Sequence, residues 1–199
     1  MNEIELRSAL VAGLESAGEP RLAARAANPL ATMLGPLREL PGGAVVVLFE
    51  AFPHPNASFY VGLADGRVFH LTGRPAAFAD MVRASGLRVT DEQTAKEVAC
   101  AYVETTRTME TFTGVLDSAD DINWDTRPGH EPAPDVVARL RRFVRPPAAT
   151  SAGPESYQVT LFVQHGTAAE RRVLTVTTDG AVTERIEDVI SGLPVLISI

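Results

Sequence analysis

Two Asp-Gly pairs, Asp65-Gly66 and Asp179-Gly180, each sit between runs of strand-forming residues. A two-residue type I′ turn needs positive φ at both central positions. Asp-Gly supplies it, so each pair predicts a tight antiparallel hairpin. The flanks are Tyr60-Val61-Gly62-Leu63-Ala64 and Arg67-Val68 in one case, Leu174-Thr175-Val176-Thr177-Thr178 and Ala181-Val182 in the other. A shared hairpin consensus and an internal repeat explain this likeness equally well. Helix and strand do not alternate regularly enough for a wound parallel sheet, so the pattern predicts an α+β fold.

Around the hairpins the apolar periodicity sets the other elements. Leu6, Leu10 and Leu14 recur every four residues, which predicts a helix over 3–17 that ends at Gly18 and Pro20. A short helix is expected over 21–27, and a broken helix over 31–40, interrupted by Gly35-Pro36. Ala44 to Phe52 is a strand signal with Val45, Val46, Val47, Leu48 and Phe49 in a continuous apolar run, the mark of burial on both faces, followed by a turn at Pro53-His54-Pro55-Asn56. Pro75 opens a helix carrying Phe78, Met81 and Val82, with Gly86 just past its end.

The strongest helix follows. Ala95, Val98, Ala99, Tyr102, Val103 and Thr106 form one stripe, and Thr90 with Gln93 makes a capping-box pattern. Beyond it come a strand over 111–116, a Pro/Gly loop over 126–134 and a helix over 134–144 with Val136, Val137, Leu140 and Val144 inward. Residues 146–156 are linker-like. Strands follow over 157–164, 171–177 and 181–189, and the apolar stretch 193–199 predicts a last strand that must be paired or docked. The sum is a single α+β domain over 1–199, divisible into 1–90, helices plus hairpin, and 91–199, a long amphipathic helix packed on an antiparallel meander. The order of helix and meander over about residues 90–190 resembles the cone-shaped cystatin-like and nuclear transport factor 2-like folds, ketosteroid isomerase among the latter. That resemblance implies a curved sheet with room for an apolar cavity.

Charge narrows the partners. The chain has a formal net charge of −7. All of it lies in 91–199, where ten basic residues meet seventeen acidic ones, while 1–90 is balanced. Such a field repels phosphate backbones, so nucleic acid is not an expected partner. No apolar run approaches the roughly 20 residues that span a bilayer. The start, Met1-Asn2-Glu3-Ile4-Glu5, lacks a basic-then-apolar signal pattern, so a cytoplasmic protein without membrane contact is expected. A single cysteine, Cys100, leaves no internal disulfide and no multi-cysteine metal site.

Chemistry leaves few marks. HExxH, CxxC, GxSxG, GxxxxGK[ST] and GxGxxG are all missing, and no cofactor is expected. Asp121, Asn123 and Asp125 stand at positions one, three and five of a calcium loop. Thr126 then replaces the turn glycine, and Pro132 replaces the bidentate Glu. A solvated acidic loop is therefore expected, without a metal, with Trp124 anchoring it to the core. His54, His70, His130 and His165 have no metal-ligand spacing. Arg139, Arg141, Arg142 and Arg145 form a basic cluster on or after a helix, opposite in sign to the acidic residues of 117–125. It is the candidate surface for a protein partner or for self-association.

Two functions fit. One is a non-catalytic accessory or protein-interaction protein. The other is a cofactor-independent small enzyme or small-molecule binder, which would move a proton inside an apolar cavity of the meander with Tyr102, Asp117, Tyr157 and His165 as candidate polar groups.

Overall fold

The computed structural model describes residues 2–50 and 57–195, the side chains of Pro36 and Arg38 excepted. The turn expected at 53–56, with His54, lies outside the described residues, as do 51–52 and 196–199. The fold is α+β with antiparallel sheets. Its residues gather into two compact units, one made of Met1–Arg88 with Thr105–Met109, the other of Val89–Glu104 with Glu110–Ile199.

In the first unit, α1 (Glu3–Ser16) is closed by a capping box. Asn2 Oδ1 accepts from Glu5 N, and Glu5 Oε2 accepts from Asn2 N, both at 2.9 Å. Leu6, Leu10 and Leu14 are buried, as their spacing requires. After α2 (Pro20–Ala27) the chain forms a four-stranded antiparallel sheet: β1 (Thr32–Leu40), β2 (Ala44–Glu50), β3 (Phe59–Ala64) and β4 (Arg67–His70), in that order. The broken helix expected over 31–40 is thus a strand. Gly35-Pro36 cannot continue a helix, whereas a strand absorbs the pair in a bulge between Leu34 and Arg38.

One face of this sheet, with Val47, Phe49, Phe59 and Val61, packs on the α1 leucines and on Ala23 and Ala26 of α2. The other face approaches α3 (Pro75–Ala84) so closely that a Cβ on Gly62 would collide with Met81 Sδ. Burial of β2 on both faces follows from this two-sided cover. The β3–β4 turn is the expected type I′, with φ of 48° at Asp65 and 69° at Gly66.

In the second unit, α4 (Glu92–Thr105) buries Ala95, Val98, Ala99, Tyr102 and Val103. Its cap is Asp91, whose Oδ1 accepts from Thr94 N at 2.8 Å; Thr90 does not cap it, since its hydroxyl bonds Asp91 Oδ2. The sheet runs β5 (Thr113–Leu116), β7 (Ser156–His165), β8 (Ala168–Thr177), β9 (Val182–Ile190), with β6 (Ala148–Gly153) paired to β7 beyond β5. β7, β8 and β9 are the expected meander. The linker expected over 146–156 is β6. Its Ala, Ser and Gly have little strand propensity of their own, and pairing with β7 imposes the extended form. The β8–β9 connection is not the expected tight turn. Thr178-Asp179-Gly180 form a three-residue loop in which only Gly180 has positive φ, at 81°, and Gly180 N donates to Thr177 O at 2.8 Å.

Below this sheet lie a 3-10 turn (Ala119–Asp121) and α5 (Pro134–Phe143). Leu116, Ile122, Leu140, Val144, Phe162, Ile190, Leu193 and Val195 form the core there. Trp124 packs against it and bridges to Val195, so the anchoring role holds and the chain at 193–195 is docked. The opposite face presents Val159, Leu161, Val163, Leu174 and Val176, all buried. Among the described residues no helix is long and apolar enough to cross a membrane.

Candidate interaction surface

The four arginines of the basic cluster have separate fates. Arg141 reaches back to the acidic turn and meets Asp120 at 3.2 Å. Arg145 donates to the carbonyls of Arg141 and Val144. Arg142 donates Nε–H to Ala138 O, and Arg139 meets no acceptor among the described residues. Arg139 and Arg142 are one turn apart on α5, so they share a face. They border a groove of about 410 Å³ whose remaining walls are Phe143 of α5 and Asp188, Val189 and Ile190 of β9.

β9 is the outer strand on this side, paired to β8 alone among the described residues. Thr183 to Val189 are all exposed, Ile186 at 52% and Val189 at 50%. A bulge at Glu187 interrupts the register between Ile186 and Asp188. Each carboxylate along β9 meets an arginine. Arg171 meets Glu187 at 3.1 Å and Asp188 at 3.5 Å, Arg185 meets Glu187 at 2.7 Å, and Arg172 meets Glu184 at 3.6 Å.

Arg172 also closes on Glu170, Nη2 to Oε2 at 2.6 Å, with both residues buried. Tyr102 of α4 comes against this network, and burial followed by the charge of Glu184 pushes its phenol above its ordinary pKa. Sequence reasoning missed the network. Its trace was Glu170 and Arg172 at strand spacing, which puts both on one face of β8.

Tyr157 and His165 sit eight residues apart on β7, roughly 26 Å along an extended strand. His165 is exposed, its Nδ1 at 3.0 Å from Thr113 Oγ1, and Asp117 is exposed beside the 3-10 turn. His70 and His165 belong to different sheets.

The acidic loop spends its carboxylates internally. Asp121 Oδ2 accepts from the backbone N–H of Asp117 and Ser118. Asp125 is nearly enclosed and takes a forked bond from Arg127, whose hydrogen bonds pull its pKa down to about 2. Asn123 N donates to Oε1 of the fully buried Gln164, which ties the loop to β7. Of the calcium-loop residues, Asp121 and Asp125 therefore face N–H and guanidinium donors. Among the described residues no group of three His, Cys, Asp or Glu is arranged to hold a metal ion. Comparison with protein-family models, curated proteins and solved structures gives no significant match.

Proposed function

We propose that the chain is a non-catalytic, cytoplasmic accessory protein that binds a protein partner by strand addition along β9. The observation that carries this reading is the strand itself: an outer edge with seven consecutive exposed residues and two half-exposed β-branched side chains, Ile186 and Val189. An edge supplies main-chain donors and acceptors for an incoming strand, and alternate side chains give the selectivity. The bulge at Glu187 confines regular pairing to Val182–Ile186, five residues, an ordinary strand length. Of the other outer strands of this sheet, β5 has four residues with Thr113 and Leu116 buried, and β6 offers only Ala, Thr, Ser and Gly side chains.

The test is selection of displayed peptides on the immobilised whole chain, repeated with the variant Ile186→Lys plus Val189→Lys. Both positions are exposed, so melting stays within a degree or two, and a lysine on each blocks the edge. Peptides that bind the wild-type chain and lose the variant support strand addition. Peptides that bind both alike contradict it.

A further inference from the structure

The geometry points to an acidic extended segment of a partner protein as the strand that β9 receives, its carboxylates on Arg139 and Arg142 and an apolar side chain on Phe143 and Ile190. This rests on the strand-addition reading and names the chemistry of the partner. Among the described residues of the second unit, Arg127, Arg141, Arg171, Arg172 and Arg185 each hold a carboxylate, and Arg145 is bonded to two carbonyls. Arg139 and Arg142 have no anionic partner among the described residues, in a half of the chain that carries the entire net negative charge. They stand side by side at the rim of the groove that runs along the end of β9.

The carboxylates around β9 offset them only in part: Arg171, Arg172 and Arg185 face Glu170, Glu184, Glu187 and Asp188, which leaves one negative charge against the two positive ones of Arg139 and Arg142. Asp188 pairs with Arg171 in the ladder and shares its face of the sheet, with Ile190 two residues on. Arg139, Arg142 and Phe143 line the same groove from α5. A strand paired to Val182–Ile186 that runs on past the bulge along Asp188–Ile190 therefore places every second side chain on the α5 face, toward two guanidiniums and an apolar floor. Arginine is suited to this task, since its planar fork takes a carboxylate through two parallel hydrogen bonds. Successive carboxylates two residues apart on the incoming strand match two arginines one helical turn apart.

The experiment uses three fluorescein-labelled ten-residue peptides of one alternating Val/Thr strand sequence. They carry two Glu, two Gln or two Lys at alternate positions on one face, and binding to the whole chain is read by anisotropy. The Glu peptide should bind about tenfold tighter than the Gln peptide, and the Lys peptide weakest. The Glu peptide should weaken as NaCl rises, because the contact is at the surface and screened. Arg139→Glu with Arg142→Glu, both exposed, should leave melting unchanged and reverse the order so that the Lys peptide binds best.

Equal binding of the three peptides, or an order that survives the reversal, overturns the acidic preference while leaving strand addition standing. If none of the peptides binds, or if Ile186→Lys plus Val189→Lys changes nothing, strand addition fails and this inference with it. Displacement of the Glu peptide by succinate at equal concentration would make the groove a small-carboxylate site and overturn the peptide occupant.

Discussion

Replacing Gly13 by alanine sets two opposing effects against each other. Gly13 lies inside α1, where alanine favours the helix by about 1 kcal/mol. A Cβ built there falls 2.6 Å from Val68 Cβ on β4, and Val68 Cγ2 is nearer still. Rotation about χ1 of Val68 relieves the Cγ2 overlap. It cannot move Cβ, which is fixed to the β4 backbone. Carbon atoms rest at about 3.5–4.0 Å, so α1 and β4 must part by roughly 1 Å. Overpacking costs about 1–3 kcal/mol, and a clash anchored in two backbones belongs at the upper end. The net expectation is a loss of about 2 kcal/mol, or a fall in Tm of about 4–8 °C for a chain of this size. Urea unfolding followed by far-UV circular dichroism reads it directly. Adding Val68→Ala should not restore stability, because the Cβ overlap persists. A Gly13→Ala protein that is more stable than wild type by about 1 kcal/mol would refute the packing argument and leave only the helix propensity.

Arg172→Met should destabilise by about 3–5 kcal/mol, since it strands Glu170 and Glu184 beside a buried face; adding Glu170→Gln should recover part of the loss in the same urea assay. Burial, then the charge of Arg74, holds the His70 imidazole below its ordinary 6.5, with Glu19 opposing, and its Nδ1 is buried without a hydrogen-bond partner among the described residues. The folded chain therefore takes this proton less readily than the unfolded one. The contribution to stability is complete above pH 6.5 and is lost as the pH falls below it. His70→Phe should flatten the slope of stability between about pH 7 and 5, and an unchanged slope would assign that dependence elsewhere. A chain ending at Gly192 loses Leu193 and Val195 from the second core, each worth about 1.5–3 kcal/mol. It should melt well below the full chain, and an unshifted Tm would show that these residues add nothing.

The sequence revealed those elements whose own residues decide them. The α1 leucines, the apolar run of β2, the Asp65-Gly66 turn and the α4 stripe each carry a period or a turn signal that tertiary contacts reinforce. β1 and β6 were hidden because partners impose them: a bulge absorbs Gly35-Pro36, and β7 extends a segment of small residues. With Asp-Gly in both turns, only the loop length distinguishes the two-residue β3–β4 turn from the longer β8–β9 one, and pairing sets that length. The basic cluster was legible as a cluster. Its division into Arg141 on Asp120, Arg145 on carbonyls, and Arg139 with Arg142 at a groove depends on where β9 passes α5, which no local pattern encodes. The Glu170–Arg172–Glu184 network hid for the same reason, because Glu184 joins it across the β8–β9 ladder.

Amide hydrogen exchange of the whole chain, with and without a bound strand peptide, tests the edge itself. Strand addition predicts that outward amides within Val182–Ile186 slow markedly on binding, while those of β6 are unchanged. Protection confined to β6, or binding with no change along β9, would contradict it.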